Sequence, residues 1–280
     1  MGPQALYDRI SYRVSRLTTR SYSTSFSLGI RCLNREFRDP VYAIYGFVRY
    51  ADEIVDTFHG HDKAMLLKRF TEDTWHAIEE KISLNPILHS FQQAVNAFQI
   101  DRALIQQFIT SMEMDLEKKQ YDQAGYEKYI LGSAEVVGLM CLKIFCKGDE
   151  AEYLRLKPDA MKLGSAFQKI NFLRDLHADY ATLGRCYFPG LDIDRFDDTS
   201  KKQIEENIAD DFQQGLRGIK QLPRGARFGV YVAYLYYIAL FRKIKRLPSA
   251  AVLENRVRVR NRYKLAILGY SFVKHQLNLI

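Results

Sequence analysis

Cysteine is scarce in this 280-residue chain: Cys32, Cys141, Cys146 and Cys186 stand at irregular spacings, with no Cys-x-x-Cys. That argues against a disulfide framework and a zinc knuckle, and reduced thiols in a cytoplasmic protein are the simpler expectation. The N-terminus lacks an apolar signal-peptide core. The nearly apolar run Phe228 to Phe241 is shorter than the ~20 residues of a membrane-spanning helix, so a soluble or peripheral protein is expected. Strand-type alternation, internal repeats, low-complexity tracts and long linkers are all missing. No stretch resembles a dinucleotide-binding fingerprint.

What is present reads as helix. Hydrophobic residues make up 47% of the chain and charged residues 26%, the balance of a folded globular protein. Helical patterns run over about 8–19, 62–81, 86–98, 101–119, 123–146, 150–181, 200–220, 224–246 and 259–276, with a hydroxyl-rich stretch at 22–27 and a loop at 184–199. Asp39 reads as an N-cap with Pro40 at the first position of a helix reaching about Thr57. The expectation is one all-α helical bundle, a single domain over 1–280. The net charge of +8 suits a phosphate-bearing partner: a diphosphate, an anionic membrane or nucleic acid.

Two helices carry acids where apolar residues would be expected. In the first, Tyr45, Arg49, Asp52 and Asp56 fall within an arc of roughly 60°, flanked by Ile44, Phe47, Val48, Ala51 and Val55. In the second, Gln168, Asn171, Arg174, Asp175 and Asp179 span roughly 140°. Each stripe alone reads equally as a solvated face with i,i+4 ion pairs. Aromatic and aliphatic framing, and the lack of Lys/Glu runs, point to an interior surface instead. Buried carboxylates repel unless cations neutralise them, and oxygen-only donors suit Mg²⁺. The interleaved Arg49 and Arg174 make sense if the metals hold a polyanion that the arginines also touch.

The pattern resembles the squalene/phytoene synthase family, the head-to-head prenyl synthases. Asp52-Glu53-Ile54-Val55-Asp56 resembles its first aspartate-rich motif. Asn171-Phe172-Leu173-Arg174-Asp175-Leu176-His177-Ala178-Asp179, followed by Gly184-Arg185-Cys186-Tyr187-Phe188-Pro189, resembles its second. Tyr22-Ser23-Thr24-Ser25-Phe26 resembles the serine flap over the diphosphate, Met112-Glu113-Met114-Asp115-Leu116-Glu117 a further helix signature, and Gly132 to Gly138 the kinked helix over the cavity. Glu135 and His177 depart from the pattern, and Glu135 places an acid near the expected cavity wall.

The resemblance implies a prenyltransferase of carotenoid biosynthesis that joins two prenyl diphosphates through a cyclopropylcarbinyl diphosphate. Asp52, Asp56, Asn171, Asp175 and Asp179 would bind Mg²⁺, with Mn²⁺ as a substitute. Ser23, Ser25, Arg49 and Arg174 would contact diphosphate, joined by Tyr45 and Gln168. Asp52, Asp56, Arg49, Arg174 and Asp175 form the implied catalytic set. Bacterial phytoene synthases match best, which points to geranylgeranyl diphosphate, no NADPH and no membrane anchor; the C30 reaction on farnesyl diphosphate is the alternative within the family.

Other readings fit less of the sequence. A cyclase would carry a Ser/Thr-bearing triad, and an elongating enzyme two DDxxD clusters. A di-iron bundle would want Glu-x-x-His on two helices, where the chain offers only Asp56-Thr57-Phe58-His59 and Asp73-Thr74-Trp75-His76. A non-catalytic basic protein binding membrane or nucleic acid leaves the ordered motifs unexplained, so no nucleic-acid partner is expected. Phe228–Phe241 reads as a buried helix, part of which could instead meet a membrane. Arg256, Arg258, Arg260, Arg262 and Lys264 read equally as a solvated basic face or as a stretch that attracts anionic lipid headgroups or the substrate. Hydrophobic substrates would suit peripheral association with the inner face of the membrane. Nothing in the sequence bears on oligomeric state.

Overall fold

A computed structural model describes residues 2–117, 120–254, 256–259 and 261–276. Helices α1 (Pro3–Tyr22), α2 (Thr24–Arg31) and α3 (Arg35–Asp56) lead into α4 (Lys63–Glu80), α5 (Pro86–Phe98) and α6 (Arg102–Glu117). Next come α7 (Gln123–Ile130), α8 (Val136–Cys146), α9 (Glu150–Ala178), α10 (Asp198–Gln221), α11 (Arg224–Lys245), α12 (Ser249–Glu254) and α13 (Asn261–Gln276). The fold is all-α, with one isolated bridge, Gln120 to Cys186, among the described residues. Arg260 of the basic C-terminal run lies outside them, as does the side chain of Arg262.

Local chemistry sets most helix starts. Asp62, Asn85, Asp122, Asp149 and Asp197 each accept a backbone N–H from the first turn of the following helix. The reading of Asp39 as a cap is corrected: α3 starts at Arg35, and Pro40 lies inside it. Burial explains the difference. Phe37, Pro40, Val41 and Tyr42 are all buried in the core, and this outweighs the one backbone hydrogen bond that proline forgoes. Helix α12 lies in a stretch where the sequence predicts no element.

Two apolar clusters flank the centre. One joins α3 to α4, α5, α6 and α8, with the Phe47 and Phe91 rings stacked at 3.9 Å and Phe70 and Phe108 beside them. The other joins α9, α10 and α11 through Phe172, Phe212, Tyr234 and Phe241. No residue of Phe228–Phe241 is exposed, so this stretch is an interior helix and not a membrane contact. A longer apolar segment, Gln123–Cys146, has the length and composition to cross a bilayer, but its most apolar window is 61% buried within the protein.

That segment is not a plain helix. Between α7 and α8 the backbone takes a π-helical turn over Leu131–Glu135, gripped from both sides. A Cβ on Gly132 would stand 2.5 Å from the Gln107 carbonyl of α6, and one on Gly164 of α9 would stand 2.8 Å from the Ala134 carbonyl. Such turns are frequent at functional sites, and this one sets Ser133 and Ala134 in the cavity wall described below. Gly132→Ala forces backbone apart, so it is expected to destabilise by about 1–3 kcal/mol. Thermal denaturation checks this; an unchanged melting temperature would show that the contact is slack.

Candidate active site

A cavity of about 480 Å³ lies between the two apolar clusters. It runs along α9 from Leu156 to Arg174, a span of roughly 27 Å at 1.5 Å per residue. Most of its wall is apolar: Ile30, Leu33, Ile44, Val137, Leu142, Phe145 and Leu163 all line it. Polar side chains gather at the Arg174 end, where Ser23, Tyr45, Arg49, Asp52, Gln168, Asn171 and Arg174 meet. Seven predicted site residues, from two helices and a helix junction, thus share one chamber.

Ser23 joins α1 to α2, capping Phe26 N at 3.2 Å and sharing a side-chain hydrogen bond with Tyr45. Burial pushes the Tyr45 phenol up to about 12. Arg49 pairs with Glu53, lies 3.9 Å from Asp52, and covers the Tyr22 ring at 4.2 Å. Its Nε is buried with no partner, a spare donor at the polar end. Tyr237 stacks on Phe167 at 3.9 Å and reaches Asn171 at 3.4 Å. Ser25 is corrected: the second residue of α2, it is absent from the cavity lining, which takes Ser23, Phe26, Gly29 and Ile30 from this segment.

The remaining acids sit on the rim and are held by arginines. Arg174 Nε donates to Asp175 at 2.9 Å, and Arg256 grips the same carboxylate at 2.6 and 3.1 Å. Arg256 also lines the cavity, so this part of the predicted basic run turns inward and not toward a membrane. Lys264 of the same run reaches Thr24 at 2.6 Å. Asp56 accepts from Arg185 at 2.8 Å. A second π-helical turn, Asp179–Leu183, carries Asp179 at the end of α9. His177 is exposed, and Glu135 follows the lining residues Ser133 and Ala134 but faces the charges of Lys162, Asp211 and Lys169, outside the lining itself.

Beneath the rim lies a cluster that sequence reasoning passed over. Asp115 is 6% exposed and accepts from three tyrosines: Tyr129 at 2.5 Å, Tyr187 at 3.1 Å and Tyr121 at 3.3 Å. Arg185 donates to the Asp115 carbonyl at 2.8 Å while bonding Asp56. The bridge between Gln120 and Cys186 holds these two loop segments together. A signal did exist: Asp115 falls on the face of Phe108 and Met112, whereas Glu113 and Glu117 point outward. Arg185 and Tyr187 lie in the second motif and Arg256 in the basic run, but nothing local assigns them to this cluster, and Tyr129 carries no local mark.

The acids act on one another. Burial, then the charges of Asp56 and Asp115, push Asp52 up to about 8 against the pull of Arg49, although 32% of its side-chain surface is open to the cavity. Burial, then Asp175, Asp56 and Asp115, push Asp179 up to about 7. Burial raises Asp115 to about 6 against Arg185 and the Tyr129 hydrogen bond. Among the described residues no three acids converge tightly enough to enclose a metal ion by themselves. The donor set is nonetheless all oxygen, and Mg²⁺ is commonly held by one or two carboxylates together with substrate phosphates. The residues therefore fit cations shared with a bound polyanion.

Residues 19–263 match the squalene/phytoene synthase family. The chain is 28% identical to a chloroplastic phytoene synthase of Narcissus pseudonarcissus over 80% of its own length, and spans 57% of that relative. It is 28% identical to a 4,4'-diapophytoene synthase of Staphylococcus haemolyticus, covering 72% of this chain and 70% of the relative. A dehydrosqualene synthase crystal structure shares the fold with a TM-score of 0.83, covering 98% of this chain and 99% of the other at 21% identity. The chain belongs to the squalene/phytoene synthase family, whose members are prenyltransferases that join prenyl diphosphates head to head.

Raised carboxylate pKa values carry a stability signature. Asp52 and Asp179 bind protons more tightly folded than unfolded, so their contribution is full below about pH 4 and is lost as pH rises through about 7 to 8. Asp52→Asn combined with Asp179→Asn is expected to flatten the metal-free stability curve across that window. Urea titrations at several pH values read this directly; a double variant with the wild-type slope would refute it.

Proposed function

We propose that this protein condenses two geranylgeranyl diphosphates head to head, giving phytoene through a cyclopropyl (prephytoene) diphosphate. One observation carries the reading: a single long chamber joins apolar walls to one end crowded with arginines and acids. That chemistry matches a substrate with a hydrocarbon tail and a charged leaving group.

At the polar end Arg49, Arg174, Gln168, Tyr45 and Ser23 bind and orient diphosphate, and the free Nε of Arg49 supplies a donor with no competing partner. Asp52, Asp56, Asn171, Asp175 and Asp179 hold Mg²⁺, which when bound neutralises charge developing on the departing diphosphate. Arg174 and Arg256 pair with Asp175, and Arg185 with Asp56. The apolar walls exclude water from the cationic carbon chain once the diphosphate has left. Phenol and phenyl faces near the polar end, Phe26, Phe167 and Tyr237, present negative ring surfaces to positive charge.

A second reading, a C30 product from farnesyl diphosphate, draws on the diapophytoene synthase relative and the fold likeness to dehydrosqualene synthase. Incubation with each diphosphate and Mg²⁺, with and without NADPH, followed by mass analysis of the hydrocarbon, separates the two. Phytoene without NADPH is expected. A C30 hydrocarbon as the main product would select the alternative, and no hydrocarbon from either substrate would end the assignment. Asp52→Asn and Asp175→Asn should each lower turnover by roughly 100-fold or more. Because Asp52 is largely protonated below pH 8 without metal, the rise in melting temperature produced by Mg²⁺ with inorganic diphosphate should be larger at pH 8.5 than at pH 6.

A further inference from the structure

Helix α1 has a face that neither the core nor the cavity uses. Arg9, Arg13 and Arg20 fall with Leu6, Ile10 and Leu17 in an arc of roughly 100°, and all six are exposed. Leu17 keeps 65% of its surface in water, and Leu6 and Ile10 keep 43% each. No acid shares the arc: Asp8, the one carboxylate of the helix, turns inward to His89 at 2.8 Å. Arg16 is bound to Asp39, but Arg9, Arg13 and Arg20 have no ion pair among the described residues.

The loop between α4 and α5 extends this surface. Tyr7 donates to the Ser83 carbonyl at 2.6 Å, which holds the loop against α1 and sets Ile82 and Leu84 beside it. Leu84 is 93% exposed. At its other end α1 finishes at Tyr22, which lines the cavity mouth beneath Arg49.

Interleaved guanidinium and aliphatic side chains with no acid suit one kind of surface well. Arginines meet headgroup phosphates while leucines and isoleucine enter the acyl boundary. Nucleic acid would use the arginines and leave the aliphatic residues in water. A second copy docked by a two-fold axis would set this face against itself, arginine toward arginine. We propose that the outer face of α1, with Leu84 beside it, docks the protein on an anionic lipid bilayer. The docking stands on the stripe alone; that it brings the cavity mouth toward membrane-dissolved prenyl chains rests on the function proposed above.

Cosedimentation of the full chain with vesicles tests this, using phosphatidylcholine alone and equal parts phosphatidylcholine and phosphatidylglycerol. Binding is expected to the anionic vesicles only, weakening with salt. Arg9→Glu with Arg13→Glu should lower affinity roughly tenfold or more, and Leu17→Ser with Leu84→Ser should lower what binding survives high salt. All variants should keep the wild-type melting temperature and wild-type turnover of detergent-dispersed prenyl diphosphate, so loss of docking is separable from loss of the reaction. Equal binding to both vesicles, no binding at low salt, or charge-reversed protein that binds as wild type would each overturn the proposal. A change of oligomeric state in the variants, with vesicle binding intact, would assign the face to a second copy and likewise overturn it.

Discussion

Like charge in a buried place is the constraint on which this structure turns. The charges of Asp56, Asp115 and Asp175 raise the proton affinity of Asp52 and Asp179, inside a bundle whose other walls are apolar. Such a group persists only with compensating cations and hydrogen bonds. Arg49, Arg174, Arg185 and Arg256 supply the cations, and three tyrosine hydroxyls converge on Asp115. The same arginines face the position where an anionic ligand would bring its own cations.

This arrangement accounts for the irregular backbone nearby. Both π-helical turns border the polar end or the cavity wall: Leu131–Glu135 contributes Ser133 and Ala134, and Asp179–Leu183 carries the last acid of the second stripe. A regular helix at 131–135 would change which residues face the chamber. The glycines at 132 and 164 permit the approach of α6 and α9 that holds the first turn. Local irregularity is thus tied to packing as well as to the site.

Much of the fold was legible from period and punctuation. The helices at 62–81, 86–98 and 224–246 closely match their observed spans: Asp62 and Asn85 cap the first two, and Pro223 immediately precedes the third. The start of α3 was misjudged, since the buried face of Phe37 to Tyr42 counts for more than a proline. Ser25 was misplaced for a related reason: a hydroxyl-rich stretch does not say which hydroxyl caps the helix and faces inward.

The two acidic stripes, their arginines and their apolar frames were determined by the sequence alone, since helical period places i, i+3, i+4 and i+7 on one face wherever the helix ends up. Only the tertiary structure decided that Asp115, Tyr129, Arg185 and Arg256 complete the site, because they arrive from α6, α7 and two loops by long-range packing. It also kept Glu135 out of the cavity lining beside Ser133 and Ala134, and brought Arg256 into it. Those outcomes depend on the pitch of a π-turn and the path of a loop. No periodicity within the chain encodes either one.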